Sequence, residues 1–425
     1  MKRSFYIVGI ILILALIAVW LFLLFASEDT KTDVYNRFGI SGSPEEGIFE
    51  EVIDAIIPDV FQKQYLRQLT TKRVIGYTEV VTASSTLMYF VEGGTGHVFT
   101  IDPMIEGSEN RVSNVTIPVA TRAAISVGGT YIAIRSGNQP EANLTVLTRN
   151  GEAVDTYTLE EPVRDFTINS NNDVLYTIAG GSGLYGKSLD LETKTTKTIF
   201  EIPFREATIV WGSGPDDSHY VYPKTSRYLE GYLYEIKAGK FTRLPVSGFG
   251  FMANGNKDFV AYSVLENDKY TSSLLNNEFN TSRSLPLNFV PEKCTFGAAA
   301  LFCASSDTSG DYSFPDNWYR GEISFADTIW KVYPETFGLE IVVDTLGESG
   351  RELDIVSPEV GTNDSFLYFI NKNDQSLWTY EFEVLTNSSE WYEKNTFFCY
   401  NHPYFRTGYY FCPTIFSWLA YRHKR

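Results

Sequence analysis

The chain is poor in the residues that most often carry chemistry. Its 425 residues include four histidines, four cysteines and four methionines. So few imidazoles and thiols leave little for a zinc or haem site, and no cofactor is expected. No Gly-x-Ser-x-Gly elbow and no His-Glu-x-x-His helix occurs. No phosphate cradle is read either, because Gly180-Gly181-Ser182-Gly183 falls between strands rather than between a strand and a helix. Gly212-Ser213-Gly214-Pro215-Asp216-Asp217 lacks the alternating oxygen spacing of a calcium loop. Positive charge is also short: 35 Lys and Arg stand against 52 Asp and Glu, a net charge of -17. Such a surface repels phosphate backbones and argues against nucleic-acid binding. No catalytic, cofactor-binding or metal-ligating residue can be singled out on these grounds.

Long apolar runs are scarce too, and there is one. Phe5 to Ala26 carries no charge and is long enough to cross a bilayer as a helix. Lys2 and Arg3 precede it, and Glu28 and Asp29 follow. The positive-inside rule then puts residues 1–4 in the cytoplasm and everything after Ser27 outside the cell membrane. A cleaved signal peptide is the competing reading, with a shorter apolar core and a small-x-small exit that Leu24-Phe25-Ala26 lacks. Residues 27–73 read as a polar linker ending in a short helix, with Ile48, Val52, Ala55, Ile56, Val60 and Phe61 near one face.

What is abundant is aromatic surface, 27 Tyr and 30 Phe, arranged in a repeat. Leu87-Met88-Tyr89-Phe90-Val91, Tyr131-Ile132-Ala133-Ile134 and Val174-Leu175-Tyr176-Thr177-Ile178 begin a series. His219-Tyr220-Val221-Tyr222, Phe259-Val260-Ala261-Tyr262, Ala300-Leu301-Phe302-Cys303 and Phe366-Leu367-Tyr368-Phe369-Ile370 continue it. A period of about 40–45 residues is that of four-stranded propeller blades. The expectation is an all-β, seven-bladed β-propeller over residues 74–385, preceded by the transmembrane helix at 5–26. An array of β-sandwiches is the rival, and it does not require so regular a period. Residues 386–425 form an aromatic, then basic tail expected to dock on the propeller.

The sixth unit breaks the period with a long loop from Ser305 to Glu322. The candidate interaction residues are Phe314, Trp318, Tyr319, Arg320 and, in the following strand, Trp330. Trp, Tyr and Arg are enriched at binding hot spots, while the plainer alternative is that Phe314, Trp318 and Tyr319 fold back to cap the propeller. Cys294 with Cys303, and Cys399 with Cys412, make two close pairs expected as disulfides outside the membrane. A four-cysteine metal site or free thiols are the alternatives.

Cys294, Leu301-Phe302-Cys303-Ala304, Phe314-Pro315-Asp316-Asn317-Trp318-Tyr319-Arg320-Gly321 and Phe325-Ala326-Asp327-Thr328-Ile329-Trp330-Lys331 resemble a recurring segment. It belongs to uncharacterised membrane-anchored propeller proteins of candidate-phyla, Patescibacteria-type bacteria. The usual form is closer to Tyr-Pro-Asp-Asp-Trp-Tyr-x-Gly, from which Phe314 and Asn317 depart. The resemblance implies a WD40/YVTN-like propeller outside the cytoplasm and no activity. Two functions are therefore weighed: a scaffold binding a protein or glycan partner in the cell envelope, and an extracellular hydrolase working in the central pocket.

Overall fold

The computed structural model describes residues 65–382, apart from 83–84, 152, 182, 214–216, 268 and 307–312. The expected span at 5–26, the helix near Ile48, the tail at 386–425 and the pair Cys399 and Cys412 lie outside the described residues. Among the described residues, no helix is long and apolar enough to cross a membrane.

Aromatic and β-branched alternation drives these residues into antiparallel strands. The first blade is β2–β5 (Val74–Val81, Thr86–Glu92, Val98–Ile101, Asn110–Arg111). The second is β6–β9 (Ala120–Ile125, Tyr131–Ser136, Asn143–Asn150, Ala153–Thr158), and the third β10–β13 (Asp165–Ile168, Val174–Ala179, Leu184–Leu189, Thr196–Ile202). The fourth is β14–β17 (Ala207–Val210, His219–Pro223, Glu230–Lys237, Lys240–Gly255). β17 does not stop there. It runs on as the inner strand of the fifth blade, with β18–β20 (Phe259–Glu266, Lys269–Asn276, Thr281–Ser284), so the two blades form one seven-stranded sheet. The sixth is β21–β24 (Cys294–Phe296, Leu301–Ser305, Thr328–Val332, Leu339–Asp344).

The seventh blade takes three strands from the end of the series, β25–β27 (Ile355–Val360, Phe366–Asn371, Leu377–Glu381). Its fourth and outer strand is β1 (Leu66–Thr70), with Leu66 opposite Tyr380. The expected linker and helix up to residue 73 is corrected here: 66–70 is strand. Leucines at 66 and 69 fit either period in so short a piece, and the free edge of β27 that decides the matter is remote in sequence.

Burial explains the ring. Each large apolar cluster joins two neighbouring blades, as Val91 and Val98 of the first blade do with Ile132 and Ile134 of the second. The series continues blade by blade to Phe302 and Ile329 against Leu367 and Phe369, between the sixth and seventh. It closes with Tyr368, Ile370 and Leu377 of the seventh packed on Tyr77, Met88 and Phe90 of the first. The chain is thus an all-β propeller with seven blade-to-blade cores. Cys294 and Cys303 stand directly opposite in the β21–β22 ladder, with Cα atoms 4.1 Å apart, and are joined by a disulfide.

The seam between first and seventh blades also holds two acids. Glu79 accepts the Tyr368 hydroxyl (2.8 Å) and the Thr362 N–H (2.5 Å). A Cβ at Gly361 would meet the Glu79 carboxylate at 2.6 Å, so only glycine allows this approach. Glu359 accepts from the Thr78 hydroxyl at 3.1 Å. Burial pushes the Glu359 carboxyl up to about 7, the Thr78 bond opposes this, and the Glu79 charge adds to it. A carboxyl raised in the folded state favours folding most below its ordinary range, and that contribution is lost as pH rises through about 7. Glu359→Gln should therefore remove a stability difference on the order of 2 kcal/mol between pH 4.5 and pH 8. Urea midpoints of both proteins across that range check it; a wild-type midpoint that rises with pH refutes it.

Candidate functional site

The long connection from β22 to β23 becomes a strap over the end of the propeller where blades begin. Its short helix α1 (Asp316–Tyr319) is a single turn. Phe314 enters the protein edge-on to Tyr270, centroids 5.0 Å apart, and to Phe325 at 5.7 Å. Phe314 and Trp318 share a buried cluster with Met252, Tyr270 and Val290. Each aromatic so removed from water contributes on the order of 2 kcal/mol to holding the strap down.

Beneath it lies a latch of buried charge. Lys293 ends the 3-10 turn Pro291–Lys293 that leads into β21, while Asp327 and Asp354 lie just ahead of β23 and β25. The Lys293 ammonium reaches Asp327 and Asp354 at 2.7 Å each, and all three side chains are excluded from water. Asp327 also accepts the Ile355 N–H at 2.7 Å. The Trp318 indole N–H donates to Asp354 at 2.9 Å, and Lys372 donates to the Trp318 carbonyl at 2.7 Å. Burial raises the Asp327 carboxyl from its ordinary range, with the Lys293 charge acting against it. Two lysines and two aspartates thus tie the strap to the sixth and seventh blades. Asp316 does the same for the fourth, accepting the Arg227 N–H at 2.8 Å.

These positions sort the candidates named from sequence. Phe314 and Trp318 are interior, so neither is a surface anchor. Trp330 is half-buried in β23 and packs with Leu301, Cys303 and Val332 between the fifth and sixth blades, apart from the strap. Tyr319 and Arg320 do reach the surface. Tyr319 is 41% exposed, and its hydroxyl donates to Glu292 at 2.6 Å. Arg320 is paired with Glu322 at 2.7 Å.

At the same end of the propeller as Tyr319 stand three residues absent from the candidates named from sequence. Tyr228 and Leu229, in the loop between β15 and β16, are 74% and 59% exposed, and Phe249 in β17 is 52% exposed. Leu229 and Phe249 are brought together by the Gly250 N–H bond to the Leu229 carbonyl (3.1 Å) and the pairing of Glu230 with Phe249. Gly250 has φ +60°, and a Cβ there would meet the Tyr270 hydroxyl at 2.0 Å, so the bend that presents Phe249 needs glycine. The available signal was local: an apolar Tyr-Leu pair inside a polar loop, and a Phe between two glycines.

Catalytic geometry is thin. His97 lies 2.9 Å from the Thr116 hydroxyl and 3.5 Å from Glu92, an acid–imidazole–hydroxyl order. The Glu92 carboxylate is too far to orient the ring by a hydrogen bond, and it already accepts from Thr95 at 2.5 Å. Burial lowers the His219 imidazole from its ordinary range; its Nδ1 accepts the Gly212 N–H at 3.0 Å. Gly181 to Ser188 has the residue spacing of a phosphate loop, which corrects the expectation that no such string occurs in the sequence. Its Gly186, Lys187 and Ser188 lie inside β12, where Lys187 pairs with Glu161, so no helix N-terminus faces a phosphate there. Among the described residues, no group of three or more His, Cys, Asp or Glu is placed to hold a metal ion.

Removing the lysine of the latch would leave two buried carboxylates facing each other. Lys293→Met should cost on the order of 3–5 kcal/mol in urea unfolding, whereas Arg320→Ala on the surface should change it by less than about 1 kcal/mol. Equal, small effects would refute the latch.

No protein-family model matches the chain, and no curated protein sequence does. Solved structures match by fold. YCF48 bound to D1 peptide aligns with TM-score 0.51 and 10% identity, over 75% of this chain and 96% of its own. An oligogalacturonate lyase from Vibrio parahaemolyticus aligns with TM-score 0.50 and 10% identity, over 74% of this chain and 93% of its own. At such identity the likeness is one of fold, and the fold is the β-propeller.

Proposed function

We propose that this protein is a membrane-anchored propeller, held outside the cytoplasm, that binds a protein partner through the strap-covered face. The observation that carries the reading is the group Tyr228, Leu229, Phe249 and Tyr319, four large side chains kept in water on one face. Exposed aromatic patches beside a rigid support are typical of interaction sites. The latch supplies that support, because it spends its charges on the protein itself. The propeller YCF48, solved with the D1 peptide, is a precedent for the fold in this role. The competing hydrolase is less well supported: Glu79, the better-buried acid of the seam, has both oxygens engaged.

The apolar run from Phe5 to Ala26, with Lys2 and Arg3 before it, supports a single span with a cytoplasmic N-terminus. The Cys294–Cys303 disulfide fits an oxidising compartment on the far side. A glycan partner and the bacterial relatives suggested by the strap segment belong to the same proposal.

Native capture with cross-linking and mass spectrometry tests the partner. A partner recovered with the wild type should be lost with Tyr228→Ala or Phe249→Ser, each weakening binding by on the order of 2 kcal/mol, and kept with Ile341→Ser on an outer strand. No partner, together with turnover of a peptide or glycan panel, would sink the scaffold reading. Location is tested by thiol labelling of the denatured protein taken from cells: Cys294 and Cys303 should label only after reduction, and free labelling counts against export.

A further inference from the structure

The opposite end of the propeller carries a second, chemically different surface. Successive antiparallel connections alternate between the two ends of a blade, so the hairpin turns Lys237–Lys240 and Asn256–Asp258 lie away from the strap. There three cavities of about 770, 710 and 390 Å³ lie in a row across the fourth, fifth and sixth blades. The first two share Glu235 and Asn277, and the second and third share Phe259, Asn276 and Glu335, so they form one open groove.

Its lining leaves polar atoms without partners. Asn277 spends its amide N–H groups on the Tyr220 hydroxyl (2.7 Å) and on the Asn256 and Lys257 carbonyls (3.1 Å each). The Asn277 side-chain oxygen is buried and has no hydrogen-bond partner among the described residues. Asn256 and Asn276 use their side-chain oxygens to fix turns, accepting the Phe259 N–H (2.9 Å) and the Phe279 N–H (3.1 Å). Among the described residues, no hydrogen bond engages their amide N–H groups. Of the Glu235 carboxylate, only one oxygen is engaged among the described residues, by Ser218.

Charge narrows the occupant. Lys237, Arg243, Lys257 and Arg283 are matched along the groove by Glu235, Asp258, Glu278 and Glu335. The groove is thus neutral in a protein of net charge -17, which suits neither a polyanion nor a polycation. Pro245 lies inside β17 where that strand lines the first cavity and offers no N–H, so a peptide could not extend a regular ladder there. Hydroxyl-rich chains match what remains. Each sugar hydroxyl both donates and accepts, as the free amide and carboxylate groups require, and sugar C–H faces pack on half-buried rings such as Phe259 and Phe296.

We propose that this groove binds a neutral oligosaccharide. The site is separate from the strap-side face and stands or falls independently of it. The test is calorimetry of the full chain in lipid nanodiscs with cello-, chito-, malto- and mannohexaose, an oligogalacturonide and a Gly-Ser peptide. At least one neutral hexasaccharide should bind. Glu235→Gln, which removes a carboxylate acceptor, and Ala299→Trp, which fills the groove from an exposed turn, should each weaken binding at least about tenfold with melting temperature unchanged. Binding of no neutral hexasaccharide, tighter binding of the oligogalacturonide or the peptide, or wild-type affinity in both variants would overturn the proposal.

Discussion

Burial of one blade face against the next is the interaction on which everything else here depends. A four-stranded blade by itself leaves both apolar faces in water, and a row of blades leaves one at each end. The contact of Tyr368 and Leu377 with Tyr77, Met88 and Phe90 removes both ends at once. That contact needs a complete seventh blade, and the blade is complete only when β1 pairs with β27. Hydrophobic burial and backbone pairing therefore meet in one seam, and Glu359, placed in that seam, makes its strength answer to pH.

The rest of the molecule is variation on this ring. Where the sixth blade would have a short turn, it has a strap, and apolar packing alone does not fix so long a connection. Lys293 does, by meeting Asp327 ahead of β23 and Asp354 ahead of β25. Buried ion pairs are seldom a net source of stability, but they are demanding about geometry. Here they set where α1 sits, and α1 sets where Tyr319 emerges. The latch's ionic chemistry is thus kept within.

Much of the ring was legible in the sequence because its signals are local. Val74–Val81 and Asn169–Asp173 could be read as strand and turn from alternation and turn residues, and Cys294 with Cys303 from the hairpin between them. What could not be read depends on distant partners. Leu66–Thr70 is a strand because β27 offers an edge. Lys293 has the look of a surface lysine, since nothing nearby reveals Asp327, across the sixth blade's long connection, or Asp354, ahead of the seventh blade. The aromatics at 314–330 were found by residue type, but type does not say which way a ring faces; Phe314 and Trp318 went in and Tyr319 stayed out. Phe249 reads as strand core until Gly250 turns it outward.

The place of β1 has a consequence for the order of events during synthesis. Among the twenty-seven strands of the described residues, the one that finishes the seventh blade leaves the ribosome first, and the one it must pair with emerges last. Blades one to six can form by nearest-neighbour contacts as they appear, but the ring stays open, with two apolar faces waiting. Closure is thereby a check on completeness: a chain truncated anywhere before Leu377 has no partner for β1 and keeps a sticky face at each end. A quality-control system that recognises exposed apolar sheet would tell finished copies from broken ones at a single seam.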